Sequence, residues 1–440
     1  MKQKKITVIT LGCHKNTVEA EYLLGIFRKK NFILTANIKE TDIVLIHTCS
    51  FIESARIESE NHIRYVLKLK EATDLKVYVS GCLVQLLKED FAKKFPNVDG
   101  FVGTGDLINI ENIISNESPC DSEFLAGGLN ESKYRVLSSG LPYAFIKIAE
   151  GCSHKCSFCI IPYVRGKYKS RHIGDIVAET KTLVSCGIRE IILVAQDTTS
   201  FGHDIYGKFA LGKLLSKLAK ISSLKWIRLL YAYPASITDE LINIFKEYET
   251  VCNYIDIPIQ HVSPKMLLSM RRPLNTVKII EKIKNKAPEI VLRTSLITGF
   301  PGESEEDILE LINFLKQEYF QYIGVFEYSN EKKADSSLLD QQIETGIAKK
   351  RRILIENVHY EVFKVKFNRM CGSTTDMLVE NCEKKRGSYK ITGRSYFQSP
   401  EVDGNIVLES ENALQVGKFY KIRMNSLLGY NINSQVCTVK

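Results

Sequence analysis

The sequence predicts an α/β protein in three parts: an N-terminal parallel-sheet α/β domain, a central partial (β/α)6 barrel and a small C-terminal antiparallel β-barrel. Three observations carry this. Over residues 1–118 and again over 138–368, short apolar runs of strand length alternate with amphipathic stretches, the pattern of parallel sheets covered by helices. Beyond residue 369 that alternation gives way to short β-like runs separated by turns such as Val402-Asp403-Gly404-Asn405. Between the first two parts, residues 119–137 are polar, contain Gly127, Gly128 and Asn130, and keep to neither period, as a linker does. Cys120 falls in this stretch and reads as a bystander.

In the first part, strands are expected at residues 6–10, 43–47 and 77–80, with an amphipathic run through Val18, Tyr22, Leu23, Ile26 and Phe27 after the first. The informative residues stand just past each strand. Leu11-Gly12-Cys13, Thr48-Cys49 and Gly81-Cys82 each put a thiol at a strand's carboxyl end, where open parallel sheets collect ligands. One cysteine in such a place is more often a small buried hydrophobe. Three strand ends out of three point instead to Cys13, Cys49 and Cys82 meeting as a metal-binding triad. Lys15, Asn16 and Glu19, at the entry to the next helix, read as helix-start polar residues.

The central part offers six strands, at residues 143–149, 190–195, 226–231, 254–257, 291–297 and 322–327. A barrel of such units places its site at the carboxyl ends of the strands. There stand the loop Glu150-Gly151-Cys152-Ser153-His154-Lys155-Cys156-Ser157-Phe158-Cys159, then Gln196 and Asp197, Tyr233, Gln260 and His261, and Thr298-Gly299-Phe300-Pro301-Gly302-Glu303. The first loop has C-x3-C-x2-C spacing. A cubane iron–sulfur cluster presents four irons, and three thiolates leave one of them open to a small molecule. A structural zinc site on Cys152, Cys156, Cys159 and His154 would ordinarily close its shell with a second C-x2-C pair, which the chain lacks. The Thr298–Glu303 stretch suits either a loop whose backbone passes close to a ligand or a tight turn capped by Glu303 and Ser304. The basic runs Arg271-Arg272 and Arg165, Lys167, Lys169, Arg171 read by default as solvated faces, with Arg165, six residues past the last thiol, facing the site.

A charged helix is expected at residues 347–366, and tail strands at 377–379, 389–392, 405–408 and 419–423. Small barrels of this kind often bind RNA through a basic, aromatic face. From Met370 to Lys440, nine Lys and Arg oppose seven Asp and Glu, a net of +2. Tyr396 and Phe397 could stack on bases, yet Glu401 and Asp403 would repel phosphate.

At 440 residues, 44% hydrophobic and 25% charged, with a net charge of +9, the composition is that of an ordinary globular protein. No apolar run approaches twenty residues and no secretory h-region precedes residue 10, which points to the cytoplasm and to no membrane partner. Twelve cysteines suit a reducing compartment and metal ligation. Cys186, Cys252, Cys371, Cys382 and Cys437 are left to core packing.

With these motifs placed, the whole chain resembles the methylthiotransferases, a radical S-adenosylmethionine family with an N-terminal cluster domain, a radical barrel and a TRAM domain. Leu11-Gly12-Cys13-His14-Lys15-Asn16, Ala195-Gln196-Asp197-Thr198-Thr199, the stretch Trp226-Ile227-Arg228-Leu229-Leu230-Tyr231-Ala232-Tyr233-Pro234, and Gly393-Arg394-Ser395 with Pro400-Glu401-Val402-Asp403-Gly404 resemble the branch acting on small-subunit ribosomal protein twelve rather than on transfer RNA. His14 stands where many members carry proline. The resemblance implies two 4Fe-4S clusters and S-adenosyl-L-methionine as cofactors. One cluster, on Cys152, Cys156 and Cys159, would cleave S-adenosylmethionine, with Phe158 beside the adenine and Gln196, Asp197 and Glu303 as further cofactor contacts. The other, on Cys13, Cys49 and Cys82, would carry the sulfur delivered to the β-carbon of an aspartate. An electron donor such as a flavodoxin-type reductant and a monomeric state complete the expectation. The same chemistry on an adenosine of transfer RNA, and a non-catalytic iron–sulfur carrier, are the competing readings.

Overall fold

The computed structural model describes residues 3–105, 107–116 and 134–437; Cys120 and most of the expected linker lie outside them. The N-terminal sheet has five parallel strands in the order Ile33–Leu34, Lys5–Thr10, Ile43–Thr48, Lys76–Gly81 and Gly100–Val102. Two of these strands have no counterpart in the sequence reading, because at two and three residues they are too short to show a period. The chain reverses direction across the sheet between Lys5–Thr10 and Ile43–Thr48, and such a switch point opens a crevice at the strand ends. Cys13 and Cys49 flank it. Ile43–Thr48, buried at every residue, is covered on both faces, as its apolar run Ile43–Ile46 requires.

The central sheet is open and parallel, its six strands lying in chain order: Tyr143–Lys147, Glu190–Val194, Trp226–Leu229, Val251–Asp256, Val291–Thr298 and Phe320–Glu327. One expected strand is shorter than its apolar run. It stops at Lys147, and Ala149–Glu150 turns away to pair antiparallel with Lys169–Ser170, forming the base on which the cysteine loop stands. Helices such as Ile173–Ser185 and Leu211–Leu218 cover one face of the sheet. Its other face, through Tyr143, Phe145, Ile192, Trp226 and Tyr254, continues into Val18 and Tyr22 of the N-terminal helix His14–Lys29, Phe363 of the long helix Thr345–Met370 and Leu378 of the tail. All three sheets therefore share one apolar core.

The tail strands Thr374–Lys384, Tyr389–Arg394, Ile406–Ser410, Asn431–Val436 and Phe419–Leu428 close into a barrel in that order. It is not wholly antiparallel: Ile406–Ser410 and Asn431–Val436 run parallel. Five strands in a ring cannot alternate direction all the way round, so one neighbouring pair must be parallel. The strand Asn-Ile-Asn-Ser-Gln-Val is too polar to read as one in sequence.

The barrel is fixed to the central sheet by buried charge. Glu190 accepts from Arg228 at 2.6 Å and from Arg394 at 2.7 Å, all three side chains being fully buried. Burial alone would push the Glu190 carboxyl up, and the two guanidinium groups hold it below the usual range. Arg228 also donates to the Tyr396 carbonyl at 2.6 Å. A second tie joins Asp403 to Tyr254 at 2.5 Å and to Arg293 at 3.2 Å. These ties revise the expectation for the tail. Phe397 is a core residue, Tyr396 packs edge-on against it, and Asp403 is buried in an ion pair, so these residues form no base-stacking or phosphate-repelling face. Of the five cysteines left to core packing only Cys252 is buried; Cys186 and Cys371 are exposed, one capping Ile173–Ser185 and the other capping Thr345–Met370.

Replacing Glu190 by Gln leaves Arg228 and Arg394 buried without their shared anion, a change that costs about 3–5 kcal/mol where a buried pair is broken. The expected outcome is a correspondingly lower denaturant midpoint, while Gln at the exposed Glu409 leaves it unmoved. His359, buried on Thr345–Met370 against Tyr430, is held neutral chiefly by burial, its pKa falling from 6.5 to about 4. Because the unfolded chain takes up that proton first, the His359 contribution to stability is complete above pH 6.5 and is lost as pH falls toward 4. Denaturation series across that window should show a shallower acid decline for His359→Gln than for the parent chain.

Candidate active site

The first thiol of the central loop is placed by Gly151. Its φ is +74°, and a Cβ there would lie 2.2 Å from the Lys167 carbonyl oxygen, so only glycine lets the loop leave the hairpin. Cys152 N–H then donates to the Gly166 carbonyl at 3.0 Å, and Ser157 is strapped to Met270 and Ser269 by bonds of 3.1 and 2.7 Å. The sulfurs receive donors of their own: Ile161 N–H to Cys159 Sγ at 3.5 Å and Arg272 to Cys156 Sγ at 3.7 Å. In the N-terminal triad, Gly12 has φ +91° and a Cβ there would lie 2.6 Å from Cys49 Sγ. Close approach of the Cys13 and Cys49 loops thus depends on a missing side chain.

A buried charge cluster lies between the two triads. Glu19 accepts from Lys147 at 2.5 Å, from Arg165 at 2.7 Å and from His47 at 3.1 Å. Glu150 accepts from Lys147 at 2.7 Å and from Gln196 at 2.7 Å. Arg165 donates further to Asn16 at 2.8 Å and to Cys82 Sγ at 3.2 Å. Burial by itself would raise the Glu19 carboxyl, but Arg165, Lys147 and His47 together hold it well below the usual range. The cluster balances two carboxylates against two cations, as buried charge must. Asn16 and Glu19 are therefore junction residues and not helix-start surface polars, and Lys15 is buried with its ammonium 4.0 Å over the Tyr231 ring. Arg165 and Arg171 are likewise buried, whereas Lys167 and Lys169 are the solvated members of their run.

The other expected contacts sit at the ends of the central strands. Asp197 accepts from His154 at 2.7 Å, and His154 stacks on Tyr233 at 3.6 Å, with the Arg272 guanidinium 4.4 Å from the centre of the same ring. Phe158 packs with Met266, Met270 and Phe300. Glu303 faces inward: it accepts from Gly299 N–H at 2.8 Å and from Arg351 at 2.8 Å, so it shapes the Thr298–Glu303 backbone, while Ser304 and Asp307 form the capping box of the next helix, Glu305–Leu315. The capped turn expected here thus has Ser304 as its cap, and Glu303 braces the glycine loop instead. Lys147, Glu150 and His47 were missed; a lone lysine within the apolar run Tyr143–Ala149 was the available signal. Arg272, read as a solvated surface residue, is 9% exposed.

The residues fit iron–sulfur clusters and a small polar cofactor. Burial pushes the Cys152 thiol up to about 11 and those of Cys159 and Cys82 up to about 12, so these sulfurs need a bound cation to become thiolates. Among the described residues no three Cys, His, Asp or Glu converge on a point that would hold a single ion. A cubane distributes its thiolates over separate irons and asks for wider spacing. Gln196 Oε1 is buried without a partner among the described residues, an acceptor available to a bound amino or hydroxyl group. Gly151→Ala should lower the iron bound after anaerobic reconstitution, measured against Gly140→Ala, where an added Cβ meets open space.

Comparison with known proteins agrees with this arrangement. Residues 5–103 match the family described as uncharacterized protein family UPF0004, residues 146–315 the radical SAM superfamily and residues 371–436 the TRAM domain. The ribosomal protein uS12 methylthiotransferase RimO of Endomicrobium trichonymphae is 57% identical over 427 residues, 97% of each chain. The enzyme of that name from Clostridioides difficile is 38% identical, over 98% of each. Among solved structures, the radical S-adenosylmethionine methyltransferase TsrM of Kitasatospora setae shares the fold, with a TM-score of 0.56 at 14% identity over 73% of each chain. The chain belongs to the RimO family of methylthiotransferases, within the radical SAM superfamily.

Proposed function

We propose that the chain methylthiolates ribosomal protein uS12 at the β-carbon of an aspartate, using two clusters with separate tasks. The observation that carries this is the presence of two cysteine triads on either side of one buried charge cluster, in a chain that matches uS12 methylthiotransferases along its whole length. Cys152, Cys156 and Cys159 would hold the cluster at which S-adenosylmethionine binds, and Cys13, Cys49 and Cys82 the cluster that carries sulfur. When bound, the first supplies the electron that yields a 5′-deoxyadenosyl radical and the second supplies the sulfur atom.

The chain's own residues do the rest. Gln196, oriented by its bond to Glu150, presents a free amide oxygen to the cofactor. Asp197 holds His154 and with it the stack on Tyr233, fixing one wall of the site. Glu303 holds the glycine loop in shape from behind, and Phe158 adds an apolar surface. Burial of the junction keeps water from a primary radical, which reacts with whatever is nearest. In this reading the division of the chain is residues 1–118, 138–368 and 369–440, the last docking a protein substrate. The enzyme acts in the cytoplasm as a monomer, reduced by a flavodoxin-type donor. Among the described residues no helix is long and apolar enough to cross a membrane.

The test is mass spectrometry of uS12 and of total transfer-RNA nucleosides from cells with and without the gene, combined with two purified variants. Loss of one methylthio mass from a uS12 aspartate is expected, with nucleosides unchanged. Cys156→Ala should abolish 5′-deoxyadenosine, whereas Cys49→Ala should retain it and form no methylthiolated product. Loss of a methylthio nucleoside would move the substrate to transfer RNA, and absence of 5′-deoxyadenosine from the parent chain would leave only an iron–sulfur carrier.

A further inference from the structure

Arg165 lies where the two halves of the proposed chemistry meet. It ends the short helix Ile161–Arg165, which begins two residues after Cys159, and it precedes Gly166, whose carbonyl holds Cys152 N–H at 3.0 Å. Its backbone therefore belongs to the radical loop. Its guanidinium reaches into the N-terminal domain and is 2% exposed. One nitrogen, Nη1, donates to Glu19 at 2.7 and 2.9 Å and to Glu150 at 3.4 Å; the other, Nη2, donates to Asn16 Oδ1 at 2.8 Å and to Cys82 Sγ at 3.2 Å. Asn16 is itself fixed, its amide donating to the carbonyls of Leu11 and Thr48 at 2.8 and 3.1 Å, the residues that lead into Cys13 and Cys49. Cys82 packs against Ile160 and Val164 at the same short helix.

We propose that Arg165 is a positioning residue of the N-terminal cluster: by donating to the Cys82 sulfur from the radical loop, it raises that cluster's reduction potential and sets its register against the radical site. The inference rests on the reading that Cys13, Cys49 and Cys82 hold a cluster. Its physical basis is that reduction adds negative charge, which a cation and a hydrogen bond at a ligand sulfur stabilise. A lysine would keep the charge but lose the fork that reaches Asn16 and the sulfur together. The contact is also unlike that in the radical loop, where Arg272 stands 3.7 Å from Cys156 Sγ and is anchored by the Pro258 carbonyl rather than by a carboxylate. Two clusters bound by similar triads are thereby given unequal surroundings, consistent with unequal tasks.

The experiment uses the full chain carrying Cys152→Ala, Cys156→Ala and Cys159→Ala, so that the N-terminal triad alone takes up iron and sulfide on anaerobic reconstitution. The midpoint potential is then read by EPR-monitored titration. Arg165→Lys in this background should shift the midpoint to more negative values. Arg165→Gln with Glu19→Gln, a pair that leaves Lys147 opposite Glu150 and strands no carboxylate, should shift it further when read against Glu19→Gln alone. Midpoints unchanged in both comparisons, with iron bound and circular dichroism intact, would overturn the proposal and assign Arg165 to a structural ion pair. Failure of the background chain itself to bind iron would overturn the reading of Cys13, Cys49 and Cys82 instead, and the inference with it.

Discussion

The structure depends on the burial of Glu19, Lys147, Glu150 and Arg165 as one neutral group. Removing an ion from water costs several kcal/mol even after relaxation, and only close, well-directed partners repay it. Here each carboxylate has at least two donors, and the group spans two domains: Glu19 and its donor His47 belong to the N-terminal part, while Lys147, Glu150, Arg165 and Gln196 belong to the central one. Such a group tolerates one arrangement of its parents. Hydrophobic packing between Tyr22, Phe145 and their neighbours supplies attraction but little register, because apolar contact is not directional. The ion cluster supplies the register, and with it the placement of two thiol triads around a common interior.

The same device recurs at the other end of the central sheet. Glu190 joins Arg228 to Arg394, and Asp403 joins Arg293 to Tyr254, so the tail barrel is seated on the sheet by groups that would be costly to expose singly. A further contact closes the circuit: Glu401 of the tail meets His14 Nε2 at 3.1 Å, one residue from Cys13, and His14 stacks on Phe145 at 4.1 Å. His14 thus touches both other domains. The three parts form one body in which the tail bears on the N-terminal thiol loop directly.

Strand positions in both parallel sheets were legible because their cores are apolar on a scale of five or six residues, and period and length suffice to mark such segments. The misses have physical causes. Ile33–Leu34 and Gly100–Val102 are too short for any pattern, and Asn431–Val436, on a small barrel with one face in water, is polar at four of its six residues. The strand at Tyr143 ends early because its last residues serve a hairpin, a pairing decided by Lys169–Ser170 further along the chain. Tyr396, Phe397 and Asp403 read as surface residues in sequence, since nothing local distinguishes an aromatic that stacks on a ligand from one that fills a core.

By itself the sequence determined where the thiols stand: C-x3-C-x2-C is a local spacing, and cysteines after three strands that lie side by side take their place at one sheet edge from the topology of a parallel sheet. Tertiary structure alone decided what the charged residues do. Whether Glu19, Arg165, Arg228 or Arg394 is a solvated surface group or half of a buried pair depends on a partner more than a hundred residues away, or, for Arg228, on several partners at once. Charge is the property whose energy changes most between water and the interior, and a sequence carries no record of which side of that boundary a side chain will occupy.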